Sequence, residues 1–179
     1  MNTVIIYPGR FQPFHNGHNE SFKKLIDKFG AEHAYIATSD KVNNINSPLN
    51  FYLKKYIIVN LYPWINSSNI IKTIQPYKPR EILENYDLSN TIVIFGVGSN
   101  EADKLLNSKF FVEYSDDINF IPYTVGAYIY KLPRVNNASS IRRFFRDKSN
   151  TLQQKKEMFI SIYQKFDNNI FKVFKTFFK

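Results

Sequence analysis

His15 and His18 bracket Asn16 and Gly17 in the stretch Gly9-Arg10-Phe11-Gln12-Pro13-Phe14-His15-Asn16-Gly17-His18. Imidazoles both donate and accept hydrogen bonds near neutral pH, and a glycine between them lets backbone approach a ligand with no Cβ in the way. Upstream lies Thr3-Val4-Ile5-Ile6-Tyr7, a β-branched and aromatic run stopped by Pro8 and Gly9, as a buried parallel strand would be. Downstream, Phe22, Leu25, Ile26 and Phe29 recur at helical spacing. The histidines therefore fall where a strand passes through a loop into a helix. A helix N-terminus, with its free N–H groups and positive dipole end, is a phosphate-binding location. Taken alone, the tetrapeptide could be chance, or one imidazole could be a satisfied core residue. The strand before it and the helix after it favour the phosphate reading.

This stretch resembles the signature of the nucleotidyltransferase superfamily that shares the H-x-G-H motif. The Gly-Arg-Phe-Gln-Pro lead-in is most similar to the nicotinamide mononucleotide adenylyltransferases of the archaeal and bifunctional bacterial types. The resemblance implies that His15 and His18 hold the phosphates of a nucleoside triphosphate and stabilise the transition state. In that state a phosphate of the second substrate attacks the α-phosphorus. The same resemblance implies nucleotide contacts by Gly9, Arg10, Phe11 and Gly17.

The elements that would position these groups follow in alternation. Ala34 to Thr38 reads as a second strand, and the polar, Asn-rich segment from Ser39 to Ser47 as a loop at its carboxyl end, where open α/β sheets place ligands. Ser47-Pro48 then starts a helix from about Asn50 to Leu61, with Leu53, Tyr56, Ile57 and Leu61 at helical spacing. This segment is similar to a superfamily pattern in which Ser47 stands where an Asn would be and Lys54 where an Arg would be. Lys54 keeps the positive charge but loses the bidentate fork; it reads either as a phosphate contact or as a solvent-facing helix lysine. Ile70 to Ile74 reads as a short strand, Pro79 to Tyr86 as a helix, and Thr91 to Ser99 as the clearest buried strand, ending in a Gly-rich turn before a helix at Asn100 to Leu106. By resemblance Gly96, Gly98 and Ser99 are nucleotide contacts; the alternative is a turn that serves topology only.

A third signature lies at Asn136 to Phe145 and resembles the second superfamily motif, roughly Ser-(Ser/Gly)-Thr-x-(Ile/Val)-Arg, whose Arg reaches the β- and γ-phosphates. Ser139, Ser140 and Arg142 match it. Independently of the resemblance, Ser139 or Ser140 could cap a helix over Ile141 to Phe145, with hydroxyls, N–H groups and a guanidinium converging on one anion site. Arg134 reads as a phosphate contact or a water-facing side chain. Lys23 and Lys24 read as a solvated face or as reaching the triphosphate.

A chain of 179 residues is long enough for one α/β domain with a real core and too short for two large ones. Cysteine is absent, which removes a disulfide framework and thiolate metal sites. The start lacks a basic n-region, and with no cysteine the expected location is cytoplasmic. The net charge of +9 on a chain rich in Tyr and Phe is also what a nucleic-acid binder shows. Here the charge is spread, with concentrations at Arg142-Arg143-Arg146-Lys148, at Lys155-Lys156 and in the last helix, and attraction of a nucleoside triphosphate explains part of it. A nucleic-acid partner is therefore not favoured.

From Thr151 onward one or two helices carry a stripe of Ile170, Phe171, Val173, Phe174, Phe177 and Phe178. Such a stripe reads as core, as a packing surface for a second copy in a homo-oligomer, or as a basic amphipathic tail on a membrane. No segment reads as a membrane span. The expected architecture is α/β: a doubly wound, mostly parallel, Rossmann-like nucleotidyltransferase fold over residues 1–150, with a C-terminal helical extension over 151–179 packed on the same domain.

The reaction implied by the resemblance moves AMP from ATP to a phosphorylated acceptor with release of pyrophosphate, and His15, His18 and Arg142 carry it. The lead-in favours nicotinamide mononucleotide as acceptor, giving nicotinamide adenine dinucleotide, and Trp64 is a candidate stacking platform for its ring. Mg²⁺ is implied, held mainly by substrate phosphates and water, since no carboxylate cluster would cage it. The alternatives are a cytidylyltransferase using CTP, a pantetheine-phosphate adenylyltransferase, or a nucleotide- or nucleic-acid-binding module without chemistry.

Overall fold

The computed structural model describes residues 1–133 and 138–179. The chain forms two compact units, each assembled from three segments: residues 1–9, 20–39 and 68–135 in the first, and 10–19, 40–67 and 136–179 in the second.

The first unit is built on a sheet of six strands, β1 (Asn2–Pro8), β2 (Ala34–Thr38), β3 (Ile70–Lys72), β4 (Thr91–Gly98), β5 (Phe111–Glu113) and β6 (Ala127–Leu132). Their order is β3-β2-β1-β4-β6-β5, and every pairing is parallel. This is the Rossmann-like, doubly wound arrangement, with the chain reversing direction across the sheet between β1 and β4. Strand alternation sends Val4, Ile6, Val93, Phe95 and Val97 to one face, where α3 (Arg80–Leu83) and α4 (Ser99–Leu106) contribute Ile82, Leu83 and Ala102. The opposite face carries Tyr7 and Gly96 under α1 (Asn16–Phe29): Tyr7 stacks on Phe22 with centroids 5.9 Å apart, and Leu25 packs over Gly96.

Three elements depart from the sequence reading. β5 and β6 were not expected; β5 has only three residues and too little pattern to register, while the Ala127-Tyr-Ile-Tyr run of β6 is a usable signal. The third strand stops at Lys72, leaving Ile74 exposed with its N–H on the Glu81 carboxylate. The expected helix over 79–86 is a single turn, because the Asn85 side chain donates back to the carbonyls of Glu81 and Ile82. Asparagine competes with helix propagation in this way.

The second unit holds the start of α1, then α2 (Phe51–Leu61), α5 (Ala138–Arg146), α6 (Leu152–Tyr163) and α7 (Asn168–Phe177). Asn50, rather than the Ser47-Pro48 pair, caps α2, its side chain accepting from Leu53 N–H at 2.9 Å. A capping box of Thr151 and Gln154 starts α6, and Asp167 caps α7. The unit's core is aromatic: Phe159 lies 5.3 Å from Phe174, which lies 5.4 Å from Phe145 and 4.8 Å from Phe178. Phe171, Phe174 and Phe178 are buried, which assigns the C-terminal stripe to the interior and withdraws the membrane-tail reading; Phe177 alone of these phenylalanines faces outward.

Candidate functional site

The histidine motif forms the first turn of α1. His15 precedes the helix, and its carbonyl accepts from the N–H groups of His18 at 2.9 Å and Asn19 at 3.1 Å. Its Nδ1 accepts from Gly17 N–H at 3.1 Å, while Nδ1 of His18 accepts from His15 N–H at 3.3 Å. One half of this is a capping box with an imidazole at the third helical position; in the other half the His15 ring caps the N–H of the second position rather than the third. Because the two backbone groups are donors, each Nδ1 must present its lone pair, so a neutral ring carries its proton on Nε2. The rings lie 3.9 Å apart, and burial together with the neighbouring His15 holds His18 well below the usual histidine pKa. Two neutral imidazoles at a helix N-terminus thus carry Nε2–H donors.

The loop before them is held from several sides. Phe11 adopts φ 47°, a left-handed conformation that a bulky residue keeps only when packing imposes it. Its ring meets Phe14 at 5.2 Å and the edge of His18 at 5.1 Å. Gln12 is buried and bonds Leu49 twice, Nε2 donating to the Leu49 carbonyl at 2.7 Å and Oε1 accepting from its N–H at 2.9 Å. The Phe14 carbonyl accepts from the Tyr163 hydroxyl of α6 at 2.8 Å. Asn19 Oδ1 accepts from the indole N–H of Trp64 at 2.9 Å, which leaves that ring 45% exposed.

Arg142 is only 7% exposed, and one terminal guanidinium nitrogen donates to the Gln12 carbonyl. Its Nε is buried with no hydrogen-bond partner among the described residues. Burial, then Arg146 and Arg10, push its pKa below the usual arginine value, so three guanidinium groups share this region. Ser139 and Ser140 do not stand before the helix as caps; α5 begins at Ala138, and both lie in its first turn. There the N–H groups still lack intrahelical acceptors. Asn136, Asn137 and Arg134 lie outside the described residues.

Lys54 is 1% exposed, which overturns the solvent-facing alternative: α2 buries Phe51, Lys54, Ile57, Ile58 and Leu61, while the expected Tyr56 faces outward. Burial lowers the Lys54 pKa to about 8, against a smaller opposing pull from Asp40. Ser47 closes an Asx turn whose acceptor is Asn43, with N–H groups of Ile45, Asn46 and Ser47 all on Asn43 Oδ1. In the second unit, therefore, direct contacts join His15 to His18 and Arg142 to Gln12, which lies three residues before His15 in the same loop. Gln12 and Tyr163 escaped the sequence reading; a glutamine amid Phe and Pro was a usable signal, whereas nothing links Tyr163 to a motif 149 residues away.

The other expected contacts belong to the first unit. Gly9 N–H continues the β1 ladder onto the Ala37 carbonyl at 3.0 Å. Gly96 is explained by packing, since any side chain there would overlap Leu25. Gly98 has open space where a Cβ would stand, and Ser99 begins α4 with its hydroxyl 3.4 Å from the Leu132 carbonyl. Lys23 and Lys24 are exposed on α1.

Among the described residues no group of three His, Cys, Asp or Glu could hold a metal ion, and both histidine Nδ1 atoms are engaged by backbone. A protein-held metal does not fit this donor set.

The family model described as cytidylyltransferase-like matches residues 6–161. The chain belongs to the cytidylyltransferase-like family. Among solved structures, this cytidylyltransferase-like chain is similar to a bifunctional NMN adenylyltransferase/ADP ribose pyrophosphatase from Francisella tularensis. The TM-score is 0.59 at 15% identity, over 99% of this chain and 50% of that one. It is also similar to the nicotinic acid mononucleotide adenylyltransferase of Plasmodium falciparum complexed with NaAD, at TM-score 0.52 and 17% identity, over 88% and 90% of the two chains. The chain thus spans half the length of the Francisella protein and most of the Plasmodium one. Among curated protein sequences, none matches it. No helix among the described residues is long and apolar enough to cross a membrane.

Proposed function

We propose that the chain transfers an adenylyl group from ATP to a phosphorylated acceptor, nicotinamide mononucleotide first among them, and releases pyrophosphate. The observation that carries this reading is the reciprocal bonding of His15 and His18 to backbone N–H groups through Nδ1, which puts the proton of each ring on Nε2 at a helix N-terminus. An acceptor phosphate oxygen forms the new bond to the α-phosphorus as the bond to the bridging oxygen of the pyrophosphate breaks. Negative charge grows on the α-phosphoryl and leaving-group oxygens. Fixed Nε2–H donors stabilise that charge without reorganising. Neutral imidazoles suit this role because no proton has to move before the donors act.

Arg142 supplies a permanent charge for the β- and γ-phosphates. Its bond to the Gln12 carbonyl and the buried position of its guanidinium support a fixed rather than a searching side chain. The first-turn N–H groups of α5, with Ser139 and Ser140, and Arg10 join it as anion contacts, and buried Lys54 adds a further cation. In the first unit, Gly96, Gly98 and Ser99 remain the proposed nucleoside contacts, Gly96 also serving the packing of Leu25. The half-exposed Trp64 ring, held by Asn19, is the proposed stacking surface for the acceptor's ring. A solved structure of the Francisella protein is described as complexed with AMP and a manganese ion. A divalent ion here would arrive with the triphosphate and neutralise phosphate charge.

The choice between ATP and CTP, and among acceptors, is tested by pyrophosphate release across nucleoside triphosphates paired with nicotinamide mononucleotide, nicotinic acid mononucleotide, choline phosphate, glycerol phosphate and phosphopantetheine. The reading requires turnover with ATP and a pyridine mononucleotide. Turnover confined to CTP, or to a different acceptor, would replace it.

A further inference from the structure

At the far end of α5 from the serines, the second unit forms an open pocket of about 600 Å³ that the proposed chemistry does not use. Five cations from three stretches of sequence line it: Arg146 and Lys148, Lys155, and Lys175 with Lys179. Among the described residues no Asp or Glu side chain lines it. Asp147, adjacent in sequence to Arg146 and Lys148, is turned into its own loop, accepting from Ser149 N–H at 2.9 Å and from the Ser149 hydroxyl at 2.6 Å. Its pKa is lowered first by those two bonds and only last by Lys155.

Arg146 is spent within the fold. Its Nε donates to the Lys179 carbonyl at 3.1 Å, and a terminal nitrogen donates to the carbonyls of Asn44 and Ile45. Four lysines are left to meet a ligand, with Lys175 lying over the Phe171 ring at 5.5 Å. The floor is apolar, made by Phe145 and Phe178 with Leu152 at the side. A low-dielectric floor strengthens each charge interaction above it. Like charges gathered around one concavity repel one another until an anion enters, so the arrangement is strained in favour of a multiply charged ligand.

The chemistry selects the ligand further. Lysine ammonium groups are point charges on flexible stems, suited to tetrahedral phosphates rather than to the planar bidentate recognition that arginine gives. Phe145 and Phe178 are buried and offer no face for base stacking, which a single-stranded nucleic acid would use. We propose that this pocket binds a compact oligophosphate anion at a site separate from the histidine motif. The assignment does not depend on the nucleotidyl-transfer reading.

Calorimetric titration with inorganic tripolyphosphate tests it. The wild-type chain should show a site whose affinity falls at least tenfold in Lys155→Gln/Lys175→Gln and is unaffected by His18→Ala. The charge-matched double variant Lys78→Gln/Lys109→Gln should bind as wild type does. A loss that follows His18→Ala alone would place the anion at the histidine motif and overturn the assignment, whereas the nucleotidyl-transfer reading fails separately, through pyrophosphate release. A second readout uses the unaltered chain: tripolyphosphate should protect Lys148, Lys155, Lys175 and Lys179 from amine acylation, read by mass spectrometry. Equal acylation with and without the anion, equal weakening by both double variants, or tighter protection by a mixed-sequence oligonucleotide would overturn the assignment.

Discussion

Tyr163 donates its hydroxyl to the carbonyl of Phe14 at 2.8 Å, so the last residue of α6 holds the backbone immediately before the first histidine. The phenol is buried, and burial raises its pKa well above the usual tyrosine value, which keeps it a donor at any working pH. Phe14 is then clamped on the other side by Arg142 on the Gln12 carbonyl and by Gln12 on Leu49.

Removing that one donor is a clean test of the clamp. Tyr163→Phe keeps the ring contacts with Phe159 at 4.8 Å and Phe174 at 5.9 Å but strands the Phe14 carbonyl. A buried acceptor left without its partner costs about 1–3 kcal/mol. Urea unfolding should show that loss, and kcat should fall more than the Michaelis constant for ATP rises. Unchanged stability would mean that the carbonyl finds water or another donor.

Arg142 combines a structural bond with a proposed phosphate contact, and two substitutions separate them. Arg142→Ala should weaken triphosphate binding by about tenfold to a hundredfold, the range expected for losing a charge-assisted contact. Arg142→Lys retains the charge but not the fork, and should recover only part of it. Equal affinities in wild type and both variants, measured by calorimetry with a non-hydrolysable triphosphate, would remove Arg142 from the anion site.

The lowered pKa of His18 predicts a pH dependence of stability with a definite sign. The unfolded chain takes up a proton near the ordinary value of about 6.5, and the folded chain resists it until lower pH. The contribution is fully present above about 6.5 and is lost as pH falls from there toward the folded-state value, at a slope of at most about 1.4 kcal/mol per pH unit. Unfolding free energies between pH 8 and pH 5 should show this slope in wild type and a shallower one in His18→Gln. Parallel curves would exclude His18 as its source.

Lys54 titrates on the other side of neutrality. With its pKa lowered to about 8, the ammonium loses its charge within the working range of many assays. Triphosphate affinity should therefore weaken as pH rises through about 8, and Lys54→Met should abolish that alkaline limb. An identical limb in the variant would show that Lys54 does not face the phosphates.

Much of the fold was legible because its signals are local. The β-branched run before Pro8, the helical spacing before Gly30 and the seven buried residues from Thr91 to Val97 each report burial through side-chain type alone. The histidines were legible as lying at the entry to a helix, but not as its caps, since nothing in a histidine advertises a cap; the folded structure shows both imidazoles accepting from backbone N–H groups there. The supporting residues were harder still. Tyr163 and Leu49 act on the motif through backbone carbonyls and amides, and a backbone partner leaves no mark on the residue type it contacts. Lys54 was legible as a cation but not as a buried one, because its charge concealed a position on the apolar face of α2.

The most direct test of the account is single-turnover pyrophosphate release from ATP and nicotinamide mononucleotide in wild type and His18→Ala, with triphosphate affinity measured on the same samples. The account predicts release in wild type, a loss of about 10²–10³-fold in the variant, as for removal of one fixed oxyanion donor, and triphosphate affinity changed by less than about tenfold. Release at the wild-type rate from His18→Ala, or no release by wild type with any nucleotide and acceptor despite firm triphosphate binding, would contradict it.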